Sequence, residues 1–525
     1  MSVARIMRIK AYFVIALLLI LSGALEARVL ERGNGPEPDS LDPQRGQSLS
    51  AQNILRDIFE GLTRADAGGT IIPGIAERWE TSSDGLSWRF YLRSDAKFSD
   101  GSGISAHDFV ASFARALDPK TAAPYATQLL VLQGAQERLQ GSNEALGANA
   151  IDAHVLELKL TQITPNLPAR LSLPVAAAVP LKTIARFGTL WTRAENIVTS
   201  GAYTLKAWQP LASIRLSKNP HYYEAQLVAM PEVRYHVTED ASEEARRFDA
   251  GELDLTETIP PGRLQQLRAR FGSKLQVAPS LGSFFLGLNL TQAPLKDNLP
   301  LRQALSLAID RTRIVEIVTG TGEEPAYALL PRILTGAAKP TPQPRAINEA
   351  SARGLYQQAG YSTNKPLVIE LRYNTSLLNR RLMLAISVMW EQVLGVQTVL
   401  RQEEMKVLVQ NRRAKRITQV FRGGWNADLA DPLDFLDIFA PDSTLNTTGF
   451  QSARYTALLK TLHQTTDPVA AKRLALAAEA ELMAAQPIIP LFFYTSKHLV
   501  APELEGFVGN PLDHHPSRLL RWRQP

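Results

Sequence analysis

The chain has 525 residues, 45% hydrophobic and 21% charged, with a net charge of +6 and no cysteine. That length buries a large core and the composition is globular, which predicts roughly three compact units and excludes a disordered or fibrous chain. The missing cysteine excludes disulfides, thiolate metal sites, cysteine nucleophiles and a lipid anchor on an N-terminal cysteine, and the interspersed charges form no stripe for nucleic acid or polybasic patch for a membrane.

The first residues have the three-part form of a secretory signal peptide. Arg5, Arg8 and Lys10 precede the apolar run 11–21, and small residues follow at Ser22, Gly23, Ala24 and Ala27. The run is short for a membrane span, so cleavage after Ala27 and release into the periplasm as a soluble chain are expected. In residues 76–101, Trp88, Phe90 and Leu92 alternate with Arg89, Tyr91 and Arg93, the period of a half-buried strand, between turns at Asp84-Gly85 and Asp100-Gly101. Ser105 and Asp108 have capping-box spacing, and Ala106, Phe109, Val110, Phe113 and Leu117 follow at helical spacing.

Residues 151–160 alternate again, as one strand, and the proline-rich stretch 165–180 predicts a crossover between units. Residues 196–208 read as a glycine-broken strand entering a hairpin that returns over 213–216. After Pro300, Leu301, Ala304, Leu305, Ala308 and Ile309 make one helical face. Leu382, Ile386, Met389 and Val393 make another, ended by Gly395 and followed by a strand over 396–400. A last helix starts at Asp467-Pro468, where proline suits the first turn, and leads to an apolar strand over 488–493. Mixed strands and helices without an internal repeat predict an α/β protein of several lobes.

Residues 421–439, FRGGWNADLADPLDFLDIF, place an arginine, two glycines, a tryptophan and an aspartate within eight residues. Arg422 and Asp428 suit the two charged ends of a zwitterion. Gly423 and Gly424 let a guest's backbone come close, and Trp425 offers an apolar wall. Asp431-Pro432 is turn-forming, which puts Asp428 on a loop. Read alone, the segment is also what a solvated acidic loop looks like; enclosed with a ligand ammonium, the same carboxylate would orient the guest and penalise ligands without a free amine.

The chain resembles the extracellular solute-binding proteins of ABC importers, peptide-binding family 5, and within it the oligopeptide-binding proteins. The likeness runs from about Glu31 to the C-terminus through GNGPEPDSLDP (33–43), residues 76–101, AHDFVASFARALDP (106–119), NIVTSGAYTLKAW (196–208), KNPHYYEA (218–225), ALSLAIDR (304–311), QQAGY (357–361), LRYNTS (371–376) and GWNAD (424–428), in shared order. The resemblance implies a type II-like periplasmic binding protein, two halves joined by a hinge and three lobes, with the ligand enclosed on closure. By position, residues 28–49, 181–281 and 496–525 would form lobe I, 50–180 lobe II and 282–495 lobe III, after the signal peptide 1–27.

In that family peptides bind as extended strands, with side chains in hydrated pockets. The resemblance implies that Asp428 pairs with the peptide α-ammonium and Arg422 with the carboxylate of a short peptide. Gly424 and Asn426 would offer the backbone edge, Trp425 would flank a side-chain pocket, and Glu37 would line the site from the N-terminal loop. Thr319 and Asn379 stand where multi-length binders carry a lysine and a histidine, and Gly282 and Asn426 stand in the places of an optional disulfide. A preference for short peptides, of about three residues, is therefore expected.

The implied partners are a short peptide and an inner-membrane permease with its ATPases; the chain is expected to act as a monomer, without cofactor or metal and with no reaction. Asp513-His514-His515 is expected to be a surface pair of imidazoles, since a metal needs converging ligands. No G-x-S-x-G or S-x-x-K motif supports a hydrolase, although Asp428 and Asp431 are conceivable as an acid and base. A murein tripeptide receptor on the same scaffold is the nearer alternative, and its ligand's extra carboxylates would call for more cations than Arg422.

Overall fold

A computed structural model describes residues 28–336 and 345–524; the expected signal peptide lies outside the described residues. Two long antiparallel strands organise the chain, Leu275–Leu288 and Ile488–Leu499, paired from Leu275↔Leu499 to Gly287↔Ile488. Their outer ends pack with Phe248, Leu253, Leu264 and Leu267. Their inner ends sit within a six-stranded sheet in the order Glu324–Pro325, Ile488–Leu499, Leu275–Leu288, Val420–Asn426, Val368–Asn374, Gln397–Glu403. The ladder is interrupted between Pro279 and Ser283. Proline has no N–H to give, and Leu281 turns its N–H to Pro511 O at 2.7 Å.

Helix Leu377–Leu394 covers one face of this sheet with Leu382, Ile386 and Trp390 fully buried, and Gly395 caps it in the left-handed region, φ 74°, as its place after the last apolar turn predicts. Helices Ala453–His463 and Pro468–Ala485 pack a second core with Phe285, Phe435 and Phe439, and Asp467 caps the latter by accepting from Ala470 N at 2.8 Å. Two four-stranded sheets stand apart. Leu30–Gly33, Glu232–His236, Ser213–Lys218 and Tyr203–Gln209 form one, covered by helix Leu49–Ile58, which buries Ile54, Leu55 and Ile58. Ala76–Thr81, Ser87–Leu92, Val155–Lys159 and Ala148–Ala150 form the other, whose core takes in Phe109 and Phe113 of helix Ala106–Ala116. Asp108 accepts from Ser105 N at 2.8 Å at the start of that helix, as the capping spacing predicts.

Two elements differ from their sequence reading. Only the second half of the alternating run 151–160 is strand, Val155–Lys159, paired with Ala148–Ala150 before it; residues 151–154 are the turn between the two, where Asp152 accepts from His154 N at 2.7 Å. The strand expected from residue 196 begins only at Tyr203. Residues before it pass so close to the end of helix Leu49–Ile58 that a Cβ on Gly201 would stand 2.6 Å from the Ile58 carbonyl carbon, and that approach displaces the ladder. Among the described residues no helix is long and apolar enough to cross a membrane.

Candidate ligand-binding site

The strand Val420–Asn426 is flanked on one edge by Leu275–Leu288 along its whole length, Val420↔Leu288 to Asn426↔Gly282. Its other edge meets Val368–Asn374 only at Val420 and Phe421. Two bonds fix which residues face which edge: Asn289 N donates to Gln419 O at 2.9 Å, and Ala427 N to Leu281 O at 2.8 Å. Antiparallel pairing alternates with a two-residue period, so Gly423 and Trp425 give their backbones to Leu275–Leu288. Gly424 and Asn426 direct theirs to the edge that carries no strand beyond Phe421. Gly423 itself is buried against a ring, since a Cβ there would lie 2.4 Å from Phe285 Cε2. Its glycine serves packing, and only Gly424 fits the expected approach of a guest.

The free edge leads to Asp428. Asp428 lines two cavities, one of about 150 Å³ with Arg56, Arg64, Asn166, Asp431 and His514, the other of about 400 Å³ with Arg56, Tyr125, Leu281, Asn426, Tyr494 and His514. The larger is of the size that takes small ligands. Burial pushes the Asp428 carboxyl up, and the Arg56 charge opposes that. Burial pulls the Arg56 guanidinium down to about 10, with Asp428 as the leading opposing charge, so Arg56 stays cationic at neutral pH. Its Nη1 is buried with no hydrogen-bond partner. His514 is held far below the usual imidazole range by burial and then by Arg56, and it is neutral.

Asp434 supports this wall. Its Oδ2 accepts from Asp428 N and from Trp425 Nε1, each at 3.0 Å, so the Trp425 indole is turned toward Asp434 and the core behind it. The loop also bridges two sheets: Leu429, 3% exposed, packs in the core of Phe90 and Phe109, and Asn166 Nδ2 donates to Asp431 Oδ2 at 2.7 Å. Arg170 beside Asn166 faces Asp434, Asp431 and Asp437, which oppose the lowering of its pKa by burial.

Arg422 lies six residues up the strand, its guanidinium 5.1 Å from the Phe284 ring centroid and its Nη2 3.5 Å from Tyr494 Oη. Its Nε has no partner. Arg422 is not among the residues lining the two cavities at Asp428. Glu37 is elsewhere: its carboxylate accepts from Trp208 Nε1 at 2.7 Å and Leu211 N at 3.0 Å. It fastens the tip of the Tyr203–Gln209 hairpin, where Leu211 adopts φ 59°, and it lines neither cavity. Thr319 is 1% exposed and bonded to Glu323, and Asn379 is 7% exposed and bonded to Asn374. Neither points a charge into the cleft.

Sequence reasoning missed Arg56, His514 and Asp434. Arg56 closes an apolar helix whose other last-turn residues are buried, which is a weak local signal. Asp434 had a better one: Asp431, Asp434 and Asp437 recur every third residue, so they share one face of a helical turn.

Residues 70–446 match the family model for bacterial extracellular solute-binding proteins, family 5. The chain belongs to this family. It is 35% identical over 503 residues to the periplasmic oligopeptide-binding protein of Escherichia coli K12, covering 94% of this chain and 92% of that one. It is 33% identical over 509 residues to the periplasmic murein peptide-binding protein of the same organism, covering 94% and 93%. The solved structure of the Haemophilus influenzae oligopeptide-binding protein with the peptide RPPGFSPFR superposes with a TM-score of 0.80 at 31% identity, covering 95% and 99%. The fold of this family 5 member is accordingly the α/β type II binding-protein fold. Gly282 and Asn426, in the places of the optional disulfide, are direct partners across the ladder, so the two strands stay paired there without a covalent link.

Proposed function

We propose that this protein is the periplasmic receptor of an ABC importer for short peptides, exported by a cleaved signal peptide and released without a lipid anchor. The observation that carries the reading is the free strand edge at Gly424 and Asn426, which ends at the enclosed carboxylate of Asp428. A peptide laid along that edge adds a strand, so its main chain supplies affinity whatever its side chains. Its α-ammonium then replaces water beside Asp428 and offsets the burial of that charge. Arg422 receives the carboxylate: six extended residues span at most about 20 Å, and the two side chains reach inward, leaving room for about three peptide residues.

The chain works as a monomer in three lobes, 28–49 with 181–281 and 496–525, then 50–180, then 282–495. Closure bends the paired strands Leu275–Leu288 and Ile488–Leu499 near their interruption, and the closed form docks on a permease whose ATPases drive release. No group on the peptide is transformed. Binding measured by calorimetry with a free tripeptide and its N-acetylated form tests the reading, because only the free amine can pair with Asp428. Equal affinities for the two would refute it.

A second reading has its own observation. Arg56 adds a cation with an unpartnered nitrogen beside Asp428, which suits a peptide bearing a further carboxylate next to its amino end, as in murein tripeptide. Native mass spectrometry of protein purified without denaturation separates the two by the mass of the retained cargo.

A further inference from the structure

His498, Asp513 and His515 come from the end of one strand and from the C-terminal loop, yet one ligating atom from each lies within 4.8 Å of the others. They are not the surface pair expected from sequence. The His498 and His515 side chains are 6% and 5% exposed, and His514 between Asp513 and His515 lines both cleft cavities, the larger of which Asp513 also borders. We propose that His498 Nε2, His515 Nε2 and an Asp513 carboxylate oxygen form a binding site for a divalent transition-metal ion of the zinc class, which clamps the C-terminal loop to the strand Ile488–Leu499.

The donors converge. Asp513 Oδ1 is 2.9 Å from His498 Nε2 and 2.8 Å from His515 Nε2. An ion bound at about 2.0–2.2 Å to each atom with tetrahedral angles needs those two separations to open by about half an ångström and the imidazole nitrogens, within 4.8 Å of each other, to stand about 3.4 Å apart. His498 is oriented as metal-binding histidines are, with Nδ1 2.8 Å from the Thr256 carbonyl oxygen, which fixes that nitrogen as donor and leaves Nε2 for the ion. Thr256 is itself locked to the strand end, exchanging bonds of 2.9 and 3.0 Å with Leu499.

The loop is ordered independently: Asn510 accepts from Leu512 N and His514 N, each at 3.2 Å, and donates to His514 O at 2.8 Å. The His515 ring stacks on Phe507 with centroids 4.1 Å apart. A small cavity of about 20 Å³ adjoins the triad, with Glu257 on its wall, enough for one water as a fourth ligand. Glu257 and Asp513 together offset a dication. Arg32, also on that wall, is turned away to His515 O and Ser517 Oγ, each at 2.8 Å. Two imidazoles with one carboxylate and an open position favour zinc, nickel or cobalt over magnesium or calcium.

Asp513 also lines the larger cleft cavity, but none of the three donors lies on the strand edge at Gly424 and Asn426, so metal and peptide binding are tested separately. The test uses the full mature chain without a histidine tag, stripped with chelator and titrated with Co²⁺ and then Zn²⁺. One equivalent of Co²⁺ should give the visible bands of a four- or five-coordinate site, and one equivalent of Zn²⁺ should displace it. His498→Gln and His515→Gln should each weaken Zn²⁺ by more than the roughly 10–100-fold that loss of a merely supporting group costs, while His107→Gln, on the exposed start of helix Ala106–Ala116, should change nothing. A wild-type chain that gives no Co²⁺ bands and no Zn²⁺ heat overturns the site even if the variants fail to fold, leaving a hydrogen-bonded triad. Zn²⁺ affinity retained in a folded His515→Gln variant overturns it as well.

Discussion

One oxygen of Asp434 holds the main chain of Asp428, accepting its N–H at 3.0 Å. The same pair repels: burial first, and the Asp428 charge second, push the Asp434 carboxyl up to about 7. A carboxyl raised in the folded state costs stability once ionised. The cost is absent below the unfolded value of about 4, grows as pH rises to about 7 and is full above that. Unliganded protein should therefore lose melting temperature between about pH 4 and pH 7, and Asp434→Asn should lose less, since the amide does not titrate while its oxygen still accepts both bonds. Identical pH slopes by thermal denaturation would remove Asp434 from this role.

Asp428→Asn keeps the shape of the loop and removes the partner of the ligand amine. Binding of a free tripeptide should weaken by roughly 2–5 kcal/mol, because the ligand ammonium is left enclosed and unpaired. The N-acetylated peptide should bind wild type and variant alike. Calorimetry on all four combinations checks the coupling, and an unchanged dissociation constant for the free peptide would contradict the assignment.

The parts of this architecture that sequence made legible are those whose signal is local. Trp88, Phe90 and Leu92 mark their strand by period, Asp467-Pro468 and Gly395 mark helix ends by backbone chemistry, and GWNAD marks the free edge because Gly424 and Asn426 share one side of a strand. What brings distant residues together left little trace. Arg56 and Asp428 are hundreds of positions apart and meet only because Leu429 inserts into the core of another sheet. Glu37 carried a correct charge in a plausible loop, but Trp208 and Leu211, far along the chain, take both its oxygens. His498 and His515 likewise gain meaning only from the turn at Asn510.

Arg56 decides between ligand classes. In the unliganded cleft it is the leading countercharge to Asp428, so replacing it with glutamine leaves the carboxylate less balanced and the amine more welcome. Arg56→Gln should hold or raise affinity for tripeptides with neutral side chains and lower it at least several-fold for peptides with an acidic group next to the amino end. Competition binding with matched neutral and acidic tripeptides reads the ratio. If the variant shifts both ligands equally, Arg56 is a structural countercharge and does not select cargo.

The adjacent glycines Gly423 and Gly424 should separate folding from binding. A methyl on Gly423 meets the Phe285 ring at 2.4 Å, inside a packed core where overpacking typically costs about 1–3 kcal/mol; Gly423→Ala should lower the unfolding free energy by that order. At Gly424 the nearest atoms are Ser283 O and Tyr494 Oη, both at 3.2 Å, and small adjustments accommodate the methyl at little cost. Yet Gly424 gives its backbone to the unpaired edge, and its added carbon, standing off the sheet face, would lie 3.2 Å from Tyr494 Oη and 3.8 Å from Arg422 Nη2, crowding the groups that receive the guest's carboxyl end. Gly424→Ala should keep its melting temperature within a few degrees of wild type and bind tripeptides at least tenfold more weakly. Were Gly424→Ala to bind normally while Gly423→Ala lost affinity at unchanged stability, the residues facing the guest would be the odd-numbered ones, and the strand register assigned to the ligand would be wrong.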